Sequence, residues 1–155
     1  MMQEQYEHHM RQCLSLAREA LAAGNPPVGA LLVYEGQIIG TGIESGKSTG
    51  DITNHAEILA IRDAINKGYS DKLSKACMYT THEPCIMCSY VIRHHHIPEL
   101  LYGISVTYVG GFTSVFEILS TAEIPNWGSA PKITNDICVD ECAALNEEFQ
   151  RRLNK

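Results

Sequence analysis

The chain has 155 residues, 45% of them hydrophobic and 19% charged, which suits one domain with its own core and excludes collagen, disordered tails and coiled coils. Twelve Lys+Arg against 18 Asp+Glu leave a formal charge of −6, a balance that speaks against gripping nucleic acid by charge alone while leaving a local basic patch open. No apolar run reaches the roughly 20 residues of a membrane helix and Met1 to Met10 has no signal-peptide core, so residues 1–155 are expected to form one domain of a cytoplasmic protein with no membrane partner.

Residues 4–23 read as a first helix: Leu14, Leu16, Ala17, Ala20 and Leu21 form an apolar stripe, and Gly24 stops it. Asn25-Pro26-Pro27 cannot be helix interior. Val28 to Tyr34 and Ile38 to Ile43 flank the turn Glu35-Gly36-Gln37 and read as a hairpin. Residues 44–53 are polar and are expected to form a loop. Thr53 or Asn54 caps a second helix that runs to about Lys67 and stops at Gly68. Ala76 to Thr81 is a third strand. Pro84 opens a third helix, where its missing N–H costs nothing, and that helix ends before Pro98. Leu100 to Val106 is a fourth strand, Ser114 to Leu119 a short helix, and Ile133 to Val139 a fifth strand. Asp140 caps a last helix to about Leu153. Strands alternating with helices predict an α/β sheet covered on both faces, with the third and fourth strands parallel.

Six cysteines are present. Cys13, Cys77, Cys138 and Cys142 sit in apolar runs and read as buried thiols. Cys85 and Cys88 alone have C-x-x-C spacing. Three apart at the start of a helix, their sulfurs share one side, beside unpaired N–H groups that stabilise thiolates. His55 opens the second helix in the same way. Two Cys and one His make three zinc ligands with the fourth position open for water, the pattern of a catalytic site and not of a closed structural one. Glu57, two residues on, then borders the metal-bound water as a base. Each fragment alone has a bland reading as cap, surface Glu or core thiol. The full set, His55-Ala56-Glu57 with Pro84-Cys85-Ile86-Met87-Cys88, is the H-x-E…P-C-x-x-C signature of zinc deaminases.

On these residues the chain resembles the cytidine deaminase-like superfamily, nearest the branch that holds tRNA adenosine deaminases, cytosine deaminases and guanine deaminases. Pro27-Val28-Gly29-Ala30, Asn54-His55-Ala56-Glu57-Ile58 and Glu83-Pro84-Cys85-Ile86-Met87-Cys88 carry the likeness, and Asp140-Glu141-Cys142-Ala143-Ala144-Leu145 resembles the last helix of the tRNA enzymes. The resemblance implies a three-layer α/β/α sandwich around a five-stranded mixed sheet. It implies one Zn2+ per chain, held by His55, Cys85 and Cys88. It also implies hydrolytic removal of an exocyclic amino group: water activated at the zinc attacks the amino-bearing ring carbon, Glu57 delivers one of its protons to the adjacent ring nitrogen and then shuttles a second to the amine, and ammonia leaves. A homodimer is implied too, paired through the helix after the second zinc segment, with Tyr90, Ile92 and His94 to His96 near the contact.

Val28, Glu44, Ala56 and Trp127 are the candidate substrate contacts. Glu44 stands where the family usually carries an Asn. A carboxylate only accepts hydrogen bonds, so it suits a base edge rich in N–H donors, unless it is a solvated loop residue. Trp127 either stacks on a base as a lid or plugs the core, and Phe112 raises the same question. His82 replaces an apolar residue and reads as a half-buried, satisfied histidine or a pocket group. His94-His95-His96 reads as a helix end, because three consecutive side chains point three ways. Three functions compete: a deaminase of a small nucleobase-like substrate, a tRNA adenosine deaminase, and a catalytically silent zinc module. Glu57 and the open fourth position argue against the third. Pro27-Val28-Gly29-Ala30 and the last helix lean toward tRNA, whereas the acidic balance, Glu44 and Glu141, Glu147 and Glu148 lean toward the small substrate, with Arg151, Arg152 and Lys155 making only a small basic end, so the small substrate is narrowly favoured.

Overall fold

The computed structural model describes residues 2–154. The elements follow in the order α1 (Met2–Ala22), β1 (Gly29–Tyr34), β2 (Gln37–Ile43), the single turn α2 (Gly46–Thr49), α3 (Ala56–Asn66), β3 (Cys77–His82), α4 (Ile86–His94), β4 (Glu99–Ile104), β5 (Lys132–Thr134) and α5 (Val139–Leu153). The five strands form one sheet in the order β2-β1-β3-β4-β5. β1 is antiparallel to both neighbours, whereas β3, β4 and β5 run parallel, β3 reaching β4 by a crossover through α4 and β4 reaching β5 by a long loop.

Alternation along the strands splits the core into two layers. Ala30, Leu32, Met78 and Leu100 point to one face and pack with Ala56, Ala60, Ile61 and Ala64 of α3 and Ile92 of α4. Leu31, Tyr79 and Leu101 point to the other and meet Met10, Cys13 and Leu14 of α1 and Cys142 of α5. Leu14, Leu31 and Leu101 are fully buried, and each such side chain contributes about 1.5–3 kcal/mol. The result is the expected α/β/α sandwich. Gly40 and Gly42 of β2 lie so close to α3 that a side chain at either would overlap its backbone, near Ala60 and Ala56 respectively. The Thr41 N–H also donates to Asp63 at 2.9 Å. The start of α3 is therefore pinned to the sheet edge.

Several boundaries differ from expectation. The polar stretch after β2 contains α2, supported by the Ser48 N–H donating to the buried Asn25 side chain at 2.8 Å. α3 is capped by His55 itself, not by Thr53 or Asn54, and α4 begins after Cys85 in the cap position. No helix forms over Ser114 to Leu119. There the Ser114 hydroxyl donates to the Gly110 carbonyl and accepts from the Phe116 N–H, while Arg93 takes the Ile118 and Thr121 carbonyls. Those competing partners remove the groups a helix would need. The fifth strand stops at Thr134, because Asp136 and Cys138 have left-handed φ values of 61° and 51° that end extended pairing. Cys138, not Asp140, then precedes α5.

Candidate active site

The N-termini of α3 and α4 converge beyond the carboxyl end of β3. Each brings a ligand in its cap position, His55 and Cys85, and α4 adds Cys88 one turn on. The His55 Nδ1 lies 3.5 Å from the Cys85 sulfur and 3.4 Å from the Cys88 sulfur. All three ligand atoms lie within 4.8 Å of one another. Tetrahedral zinc, with bonds of about 2.05 Å to nitrogen and 2.3 Å to sulfur, sets N···S edges of about 3.5–3.6 Å. The donor set and its spacing therefore fit a zinc ion. The two helix ends direct unpaired N–H groups at the same point, which favours the thiolates such an ion needs.

A cavity of about 190 Å³ opens on this cluster, lined by Pro26, Val28, Glu44, His55, Glu57, His82, Glu83, Cys85, Val106, Tyr108 and Val109. Glu57 is 3% exposed. Burial first, and then the neighbouring Cys85, push its carboxyl up to about 8. Among the side chains alone, the Cys88 thiol donating to the Cys85 sulfur holds Cys85 down at about 4, and the imidazole N–H of His55 donating to that sulfur raises His55 to about 9. The Cys88–Cys85 bond and burial push Cys88 the other way. Of these groups only Glu57 lies outside the ligand set, so it is the one free to act as a general acid or base.

Glu44 is buried at the cleft and not solvated. Burial raises its carboxyl, while Oε2 accepts the Gly46 N–H at 3.0 Å. Val28 lies on the wall. Ala56, expected at the substrate, is fully buried in the core and is not among the cleft residues. Trp127, expected at the substrate, is not among the cleft residues. It is 4% exposed in a separate groove, with the Arg93 guanidinium 4.9 Å above its ring, its indole N–H donating to His94, and its carbonyl accepting from His96. The histidine run is a helix end, as read from its spacing, and its chemistry goes into holding this tryptophan. Ile92 faces the core instead of the outer surface, and Phe112 is 39% exposed and plugs nothing. His82 borders the cleft, with Nδ1 near the Thr81 hydroxyl and Nε2 near Asn146 of α5.

Pro26, Glu83, Val106, Tyr108 and Val109 were not singled out from sequence. Glu83 sits inside the second zinc segment, so its place was visible but not its direction. The other four are ordinary loop residues with no local signal.

Residues 3–104 match the family described as the cytidine and deoxycytidylate deaminase zinc-binding region. The chain is 31% identical to the tRNA-specific adenosine deaminase 2 of Xenopus tropicalis, over 99% of this chain and 93% of that protein. It is 33% identical to the tRNA-specific adenosine deaminase of Aquifex aeolicus, over 95% of each. A solved structure from work on A-to-I editing by tRNA:A34 deaminases superposes with a TM-score of 0.81 at 32% identity, covering 89% of this chain and 98% of that one. A zinc-sized His-Cys-Cys cluster beside a buried glutamate thus sits within a match that spans most of the chain, and the protein belongs to the cytidine and deoxycytidylate deaminase family as a zinc-dependent hydrolytic deaminase.

Proposed function

We propose that the substrate is adenosine in tRNA, converted to inosine with release of ammonia. The observation that carries this is the likeness to tRNA-specific adenosine deaminases along nearly the whole chain. It outweighs the acidic net charge, which bears on long-range attraction and not on what the cleft can hold. Lys155, counted in the basic end, lies outside the described residues. Arg152 donates to Glu148 and to the Leu21 carbonyl, so it is partly occupied.

In this reading His55, Cys85 and Cys88 hold the zinc and Glu57 carries the proton. Zinc bound there lowers the pKa of its water from 15.7 toward about 7. Glu57 would accept one proton from the water and pass it to the ring nitrogen beside the amino-bearing carbon, then take the second proton from the oxygen now on that carbon and deliver it to the amine. The carbon gains the water oxygen and loses nitrogen as ammonia. Glu57 suits this because it is buried at the cleft beside the ligand cluster and is not itself a member of it. The reading also takes a homodimer through the outer face of α4, where Tyr90 is 52% exposed, and the neighbouring loop, where Ile124 is 43% exposed.

A small, donor-rich base remains the second reading, because Glu44 faces the cleft. The assay is ammonia release from an anticodon stem-loop carrying adenosine, beside free guanine, cytosine and adenosine. The stem-loop is expected to have the highest kcat/KM. Glu44→Asn should raise that value, since an amide donates as well as accepts. Turnover of guanine with no turnover of the stem-loop would replace the tRNA reading with the second one.

A further inference from the structure

Glu83 is a buried carboxylate, 2% exposed, that the chemistry above does not use. Its Oε1 accepts the Val106 N–H at 2.8 Å and the Thr113 hydroxyl. Its Oε2 accepts the N–H groups of Phe112 and Thr113, at 2.8 and 2.7 Å. Four donors thus converge on two oxygens, which only an ionised carboxylate can satisfy with acceptors alone. The surrounding backbone closes the same arrangement. The Gly111 N–H donates to the Pro84 carbonyl at 2.9 Å, and Cys85 forms an isolated antiparallel bridge with Gly110. A side chain at Gly110 would overlap the Glu83 carboxylate itself.

The loop held this way, residues 106–113, supplies Val106, Tyr108 and Val109 to the cleft. It lies beyond residue 104, where the family match stops. Its wall is therefore set by Glu83, a side chain of the zinc segment, two residues before Cys85. We propose that Glu83 is a positioning residue for the deamination, fixing loop 106–113 as the wall against which the base is held. This rests on the cleft being the deaminase site, and not on the choice between tRNA and a free base.

The test compares wild type, Glu83→Gln and Thr113→Val. It measures zinc content, kcat and KM on whichever substrate of the panel above the wild type turns over, and amide hydrogen exchange at Val106, Phe112 and Thr113. Glutamine sets an NH₂ donor against the backbone donors. Glu83→Gln should keep one zinc per chain, speed exchange at all three amides, and raise KM about tenfold or more while kcat stays within about threefold, the pattern of lost binding shared by ground and transition states. Thr113→Val should move KM in the same direction by less. Faster exchange with an unchanged KM makes the carboxylate purely structural and overturns the proposal. Loss of zinc together with kcat assigns Glu83 to the ligand turn and also overturns it. Should Glu83→Gln fail to fold, an unchanged KM in Thr113→Val decides against it. A wild type that turns over no substrate of the panel removes the reading of the cleft and this proposal with it, whereas an active wild type with an unaltered Glu83→Gln removes the proposal alone.

Discussion

The two sides of α4 present two hollows of opposite character. The inner one, at the helix N-terminus, is a cavity of about 190 Å³ crowded with His55, Glu57, Glu44, His82 and Cys85. The outer one, along Tyr90, His94 and Trp127, is about 580 Å³ and mainly apolar. The larger hollow holds no buried acid and no ligand cluster. The smaller gathers the buried carboxylates Glu44 and Glu57 beside His55 and Cys85 of the ligand cluster. Volume thus follows surface shape, while chemistry follows where helix ends and carboxylates are forced together. One helix serves both, because residues three apart share a face and residues two apart do not: Cys85 and Cys88 look inward, and Tyr90 and His94 look out.

Breaking the inner side should cost most. Cys88→Ala is expected to lose zinc, abolish ammonia release and lower the melting temperature, because the ion ties α3 to α4. Metal analysis and thermal unfolding of the purified protein check this, and full zinc in the variant would remove Cys88 from the ligand set. Glu57→Gln should retain zinc and fold while kcat falls by about 10²–10⁴-fold. Activity surviving in the zinc-replete variant would take Glu57 out of the proton path.

The outer side should respond in stability and assembly. Trp127→Ala removes a buried ring that packs under Arg93, at a cost of about 3–5 kcal/mol by denaturant titration. Zinc content and kcat/KM should hold, and light scattering should move from the mass of two chains toward one. A fall in kcat/KM with zinc and mass intact would return Trp127 to the substrate and erase the contrast between the hollows. The smallest effect concerns His82, whose imidazole burial pushes down to about 4. The folded protein keeps it neutral while the unfolded chain takes up a proton below about 6.5. Its contribution is therefore complete above pH 6.5 and is lost as the pH falls toward 4. The difference in unfolding free energy between wild type and His82→Gln should narrow over that window, and a pH-independent difference would show that His82 does not titrate on unfolding.

Legibility was uneven for physical reasons. The zinc segments could be read because each is local: a cap residue, a one-turn spacing and a proline suffice to bring donors to one side. The hairpin and the central parallel pair were equally local in origin, coming from a short turn and a helix crossover. The stretch from Ser114 to Leu119 departs from its pattern because the Ile118 carbonyl and that of Thr121 just beyond it are claimed by Arg93, more than 20 positions earlier in the chain. Trp127 was placed at the substrate on residue type alone. A lone tryptophan in a loop carries no sign of which surface will close on it.

What the sequence determined by itself was the reaction: His55, Glu57, Cys85 and Cys88 state a zinc-dependent deamination through their types and spacing. The cleft wall was decided only by the tertiary structure. The loop at 106–113 has no pattern of its own, and it takes its shape from donors that find partners on the buried Glu83 carboxylate. Ligand spacing survives in one helical turn of chain, whereas a buried carboxylate's partners exist only once distant segments have been packed around it.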